Sequence, residues 1–288
     1  MIKTPLTKLL GHGIIIMLYH NKAISDYTEK GWNPKMKKIV ALILAAVMCA
    51  LCLAGCGAKK ETLKVGITEY APMNYKDDAG NWTGFDTEFA LAVAEELGME
   101  VEFIVIDWDN KILEVNSGAI DCVWNGMTLT EEVLAGMDCT DPYIKNAQVV
   151  VLKADKAADY ATIDSLKTLK FAVESGSAGE LALKDNGIEG YTAVLDQAAA
   201  LLEVESGAAD ACVIDITMAN AMTGEGTSYA DLTYTLSLTS EEYGIGFAKG
   251  SDMPAKVNAA MQKLIESGKL DEIAAKYDLT NALISNQK

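Results

Sequence analysis

The sequence predicts two α/β lobes joined by two crossing strands. Predicted strands alternate with predicted helices from Leu63 onward, a pattern typical of a parallel sheet with helical crossovers. The same alternation restarts after Lys153. A nine-residue segment that begins at Leu113 also recurs at Leu202, 89 residues later, with seven of nine positions identical. Such an internal repeat indicates two copies of one structural unit.

The first lobe begins with an alternating strand at Leu63–Thr68. Apolar residues at helical spacing then cover Phe85–Leu97, and Gly98 is the expected stop. The next elements are a strand, a helix and a strand, at Val101–Ile106, Asn110–Asn116 and Cys122–Asn125. In the second lobe the predicted strands are Phe171–Glu174, Tyr191–Val194 and Ala211–Ile214, and the predicted helices begin at Ala178, Asp196 and Ile216.

Two apolar runs, Ala147–Leu152 and Tyr243–Ala248, are the expected crossings between the lobes. A chain that crosses twice returns its last helices, Pro254–Ser267 and Leu270–Tyr277, to the first lobe. We therefore expect lobe 1 to comprise residues 63–148 plus 245–288 and lobe 2 to comprise residues 149–244. Lobes joined in this way can close around a ligand by hinge motion.

The N-terminal part is typical of a secretory leader. After Met36 two lysines precede an apolar run at Ile39–Leu53, and small residues precede Cys56. Residues 53–56 resemble the lipobox of bacterial lipoproteins, which implies a signal peptide at 36–55, an acylated Cys56 and a linker at 56–62. The alternative is an uncleaved membrane helix, but the run is shorter than the roughly 17–25 residues needed. Residues 1–35 are expected to be a mis-assigned extension.

Composition excludes several functions. From Cys56 onward the chain carries 17 Lys and 39 acidic residues, a net charge of −22, which argues against nucleic acid as a partner. Both histidines precede Cys56, and the whole sequence contains no arginine. A Ser-His-Asp triad, a His-ligated metal and an arginine clamp are therefore excluded, and we expect no metal and no cofactor. Cys122 and Cys212 lie in apolar strands and are expected to be buried, with a disulfide or reactive thiol as the alternative.

Short motifs recur in a characteristic order along the chain. They lie at Gly66–Tyr75, Gly84–Asp86, Glu95–Gly98, Asn125–Thr130, Thr140–Tyr143, Val173–Glu180 and Val213–Asp215. By the order and spacing of these motifs, the chain from about Leu63 to Tyr277 resembles the family 3 extracellular solute-binding proteins that serve polar-amino-acid ABC transporters.

The resemblance implies a periplasmic-binding-protein-like fold of type II, with two Rossmann-like lobes and a two-strand hinge. It also implies that the chain is not an enzyme but a monomeric, extracytoplasmic binding protein, anchored through Cys56, that delivers an amino acid or similar amine to an ABC permease. Two alternatives stay open: a secreted dehydratase-like enzyme on the same scaffold, and a ligand-sensing receptor component.

The resemblance also implies a set of ligand-binding residues. Tyr70 and Trp108 are expected to lie against the ligand. Asn125, Gly126, Thr128 and Ser177 are expected to hold its carboxylate, since free N–H groups suit an anion. Asp215 is expected to receive its ammonium group, unless it only caps the next helix.

Val133 stands where the family places an arginine that binds the ligand carboxylate. A bidentate clamp cannot form there. Trp124 and Glu174 are also unusual, and we expect them to add an aromatic ring and a negative charge to the cleft. The alternatives are core packing for Trp124 and solvent exposure for Glu174. The site thus favours a cationic amine.

Overall fold

A computed structural model describes residues 60–287. The expectations for the leader and for Cys56 lie outside the described residues. The chain from Lys60 onward forms one compact unit. Within the described part of the chain, no helix is both long and apolar enough to cross a membrane.

The described residues confirm the alternation of strands and helices. As far as Asn146 the strands are β1 (Thr62–Ile67), β2 (Tyr75–Lys76), β3 (Trp82–Thr83), β4 (Glu100–Val105), β5 (Cys122–Thr128), β6 (Asp138–Cys139) and β7 (Ile144–Asn146). The helices of this part are α1 (Phe85–Leu97), α2 (Lys111–Ser117) and α3 (Glu131–Gly136).

Later strands are β8 (Gln148–Lys153), β9 (Phe171–Glu174), β10 (Tyr191–Val194), β11 (Ala211–Asp215), β12 (Leu232–Ser237) and β13 (Glu241–Phe247). Later helices are α4 (Ile163–Leu166), α5 (Ala178–Asp185), α6 (Gln197–Ser206), α7 (Ile216–Met222), α8 (Met253–Glu266) and α9 (Lys269–Lys276).

Two separate sheets form the centres of the two lobes. The first has the order β4-β1-β5-β13-β6, with β7 also paired to β13. The second has the order β10-β9-β11-β8-β12. In each sheet three neighbouring strands are parallel and the strand that follows is antiparallel. This arrangement confirms the predicted α/β fold with two lobes.

The sequence repeat performs the same structural task in both lobes. The helices α2 and α6 end at Gly118 and Gly207, which have left-handed φ values of 77° and 78°. The aspartate that ends each copy accepts a backbone N–H of its own lobe: Lys64 N of β1 donates to Asp121 Oδ2 (2.7 Å), and Lys170 N, immediately before β9, donates to Asp210 Oδ2 (2.9 Å). The repeat therefore fixes the same helix end and strand start twice.

The chain changes sheet twice. It leaves β7 of the first sheet and enters β8 of the second sheet through Ala147, which belongs to the first expected crossing. It returns between Ser237 and Glu241. The second expected crossing, Tyr243–Ala248, instead lies largely within β13, because that backbone pairs with β5 and β7 of the first sheet.

The last two helices pack on the first lobe, as expected. Tyr277 Oη donates to Glu88 Oε1 of α1 (2.7 Å), and Lys263 of α8 pairs with Glu96 at the other end of α1 (3.1 Å). Cys122 and Cys212 are buried free thiols in β5 and β11, and burial raises the pKa of both. This confirms their expected role as small apolar residues of the core.

Candidate functional site

A cavity of about 270 Å³ lies between the carboxyl ends of the two sheets. Ligands bind at this edge in open α/β sheets. Seven of the predicted site residues line the cavity: Trp108, Asn125, Gly126, Thr128, Glu174, Ser177 and Asp215. They come from both lobes, so a solute held there would contact both.

Asp215 ends strand β11 with a buried carboxylate. Gln148 Nε2 donates to Asp215 Oδ1 (2.8 Å), and the side-chain amides of Asn146 and Gln197 also donate to this carboxylate. The carboxylate makes no capping hydrogen bond to helix α7, so the structure does not support the capping alternative. Burial, followed by the charge of the neighbouring Glu241, raises the pKa of Asp215 to about 7.

Glu174 is the second buried carboxylate of the cavity. Its side chain is 3% exposed, so the solvent-facing alternative does not hold. Its Oε1 atom has no hydrogen-bond partner among the described residues. Burial, followed by the charges of Asp215 and Asp196, raises the pKa of Glu174 well above its ordinary value. A cationic group in the cavity would offset this cost of desolvation.

Three predicted residues of lobe 1 already use their polar groups inside the protein. Asn125 Oδ1 accepts from the Thr68 hydroxyl (2.7 Å), and the Gly126 amide donates to Asp86 Oδ2 (2.6 Å). The Thr128 hydroxyl donates to Glu241 Oε1 (2.8 Å). These groups position the end of β5, but the Gly126 N–H is not free to receive a carboxylate.

Ser177 caps helix α5 at the cavity wall. Its hydroxyl accepts from Glu180 N (3.1 Å), which is the expected N-cap bond. The first residues of α5 face the cavity together with Ser177. This places the positive end of a short helix next to the proposed binding site.

Tyr70 and Trp124 do not line the cavity. The Tyr70 hydroxyl is buried and bonds to the Tyr243 hydroxyl (2.6 Å) and to Thr217. Its ring lies beneath Gly126, where a β carbon would approach Tyr70 Cε1 to 2.5 Å. Trp124 packs edge-on against Phe89, with ring centroids 5.0 Å apart, so it takes the core position that was its alternative.

Val133, at the position of the family arginine, is buried and lines the cavity. The amide of Val133 donates to Thr130 Oγ1 (3.2 Å), which begins helix α3. The position at which the family carries its carboxylate-binding arginine is therefore part of the cavity wall. An apolar side chain there can contact a ligand but cannot bind its carboxylate.

Lys111 is one of the cavity residues that sequence reasoning missed. It is 7% exposed, and its ammonium donates to the carbonyls of Gly176 (2.7 Å) and Trp108 (3.3 Å). The ammonium also lies 5.1 Å from the centre of the Trp108 ring. Gly176 belongs to the second lobe, so Lys111 connects the lobes. The only signal in the sequence was its spacing, one helical turn after Trp108.

Comparison with known proteins agrees with this architecture. Residues 63–280 match the family model of bacterial extracellular solute-binding proteins, family 3. A probable histidine-binding protein of Neisseria gonorrhoeae is 31% identical over 260 residues, which are 84% of this chain and 96% of that protein.

An ABC transporter glutamine-binding protein of Bacillus subtilis (strain 168) is 28% identical over 270 residues, which are 84% of this chain and 97% of that protein. Among solved structures, an ancestral arginine-binding protein bound to arginine is 33% identical and has a TM-score of 0.70. That match covers 76% of this chain and 98% of the ancestral chain. The chain therefore belongs to the bacterial extracellular solute-binding proteins, family 3.

Proposed function

We propose that this protein is the substrate-binding subunit of an ABC importer and captures an amino acid with a cationic group. The observation that carries the proposal is the placement of two buried carboxylates, Asp215 and Glu174, on one cavity between the lobes. Trp108 adds an aromatic surface to the same cavity. Carboxylates and an aromatic ring together suit an ammonium or guanidinium group.

Two relatives are named for basic amino acids. The probable histidine-binding protein is 31% identical to this chain and the ancestral arginine-binding protein is 33% identical, while the glutamine-binding relative is 28% identical. The relative named as an ABC transporter protein supports a permease as the partner. The lobes of this proposal are residues 63–148 plus 245–288 and residues 149–244, changed only so that the whole of β13 (Glu241–Phe247) belongs to lobe 1. A monomeric state and anchoring of an extracytoplasmic protein through Cys56 are parts of the same proposal.

Calorimetry with glutamate, glutamine, lysine, arginine and a diamine tests the proposal. We expect lysine or arginine to bind most tightly, because their side-chain cation can reach a second buried carboxylate. Glutamate should bind at least about tenfold more weakly, a difference of about 1.4 kcal/mol. Tight binding of glutamate or glutamine, with no heat from the cationic ligands, would refute the proposed ligand class.

A further inference from the structure

We infer that Lys111 binds the carboxylate of the ligand and replaces the arginine that is missing at Val133. This inference rests on the proposed function. It identifies which part of the cavity distinguishes an amino acid from a simple amine.

The charge of Lys111 is buried at the cavity. Among the lysines that the structure describes, Lys111 alone is buried, and its side chain lines the cavity. Lys184 also lines the cavity, but it is 53% exposed and pairs with Glu180 (2.9 Å). Lys111 is thus the one desolvated cation at this site within residues 60–287.

The charge of Lys111 has no carboxylate partner among the described residues. Its acceptors, the carbonyls of Gly176 and Trp108, are neutral and take two of the three N–H donors of an ammonium. Burial lowers the pKa of Lys111, while the charges of Glu132 and Glu174 oppose this change. A ligand carboxylate would give the third donor a charged partner.

Glu174 provides a group of opposite charge in the same cavity. Glu174 is almost fully buried, and its Oε1 atom has no partner among the described residues. Lys111 therefore matches the carboxylate of an amino acid, and Glu174 offers an anionic partner, beside Asp215, for its cationic groups. The Gly126 amide, which the resemblance implies for the ligand carboxylate, already donates to Asp86.

Arginine and agmatine provide the test, because agmatine is arginine without its carboxylate. In the unchanged protein we expect arginine to bind more tightly than agmatine. The Lys111→Met substitution keeps a long apolar side chain on Trp108 and removes the charge. It should weaken arginine binding at least about 30-fold and agmatine binding by less than about threefold, since only arginine loses a buried charge partner.

Lys184→Met is the matched control, because Lys184 lines the cavity but is exposed and already paired with Glu180. This substitution should leave the ratio of the arginine and agmatine affinities unchanged. If Lys111→Met weakened the binding of arginine and agmatine equally, Lys111 would only join the lobes. That result would overturn the inference while the proposed function stands. If neither compound binds the unchanged protein at about millimolar concentration, the proposed ligand class fails, and the inference fails with it.

Discussion

Gly176 of the second lobe packs directly on Asp109 of the first lobe. A β carbon on Gly176 would lie 2.8 Å from Asp109 Cα and 2.5 Å from Asp109 Oδ1. The Gly176 carbonyl also accepts from Lys111 next to this contact. The backbone of one lobe thus reaches the other only because position 176 has no side chain.

This contact predicts that Gly176→Ala prevents full closure of the cleft and weakens ligand binding. Gly187→Ala is the matched control, because Gly187 has nearly the same φ, 68° against 67°, but no neighbouring atom within 4 Å of an added β carbon. Each substitution places alanine in the left-handed backbone conformation, which costs about 1 kcal/mol of stability. Small-angle scattering should show that ligand makes the Gly187→Ala variant more compact but not the Gly176→Ala variant. Equal compaction of both variants would contradict a role of the Gly176–Asp109 contact in closure.

Glu174→Gln should change stability and binding in opposite directions. The substitution removes a carboxyl group whose negative charge is disfavoured by burial, so at a pH above its raised pKa the ligand-free protein should melt at a higher temperature. The same loss of charge should weaken binding of arginine or lysine by about tenfold or more. Thermal melting and calorimetry measure the two effects. A lower melting temperature together with unchanged affinity would show that Glu174 is a structural residue.

The protein should become less stable as the pH rises from about 5 to about 8. Burial raises the pKa of Asp86 and of Asp215 to about 7. An unfolded aspartate has a pKa of about 4. Between about pH 4 and about pH 7 these two groups are therefore protonated in the folded state and ionised in the unfolded state. As the pH rises through this range, each group lowers the free energy of unfolding by up to about 1.4 kcal/mol per pH unit.

Urea unfolding at several pH values measures this slope. The Asp86→Asn variant should have a shallower slope, because it lacks one of the buried carboxyl groups whose pKa is raised. Its side-chain oxygen can still accept from the Gly126 amide. An identical slope in the variant and the unchanged protein would show that Asp86 does not titrate in this range.

Local patterns were sufficient to predict most elements. Helix α1 has the predicted bounds because its apolar spacing and the stop at Gly98 are both local features. Strand β9 also has its predicted bounds. The second change of sheet was misplaced because the pairing of β13 with β5 depends on residues more than 100 positions away.

The candidate site was predictable where it depends on strand ends. Glu174 and Asp215 follow this rule, because the carboxyl ends of parallel strands meet at one edge. Trp124 does not follow this rule, because the packing of β5 against α1 decides which residues of β5 face the core. Lys111 has the sequence pattern of a surface lysine, but its ammonium donates to the Gly176 carbonyl of the second lobe, a contact that no local pattern predicts.

The most direct test of the account is the affinity of Asp215→Ala for arginine. The account predicts a loss of at least about 100-fold, because removing one partner of a buried charge pair costs roughly 3–5 kcal/mol. Asp86→Asn removes a buried carboxylate that does not line the cavity. Its affinity for arginine should be within about threefold of that of the unchanged protein. Circular dichroism would establish that both variants are folded. Arginine binding by folded Asp215→Ala within about tenfold of the unchanged protein would contradict the claim that this carboxylate receives the cationic group of the ligand.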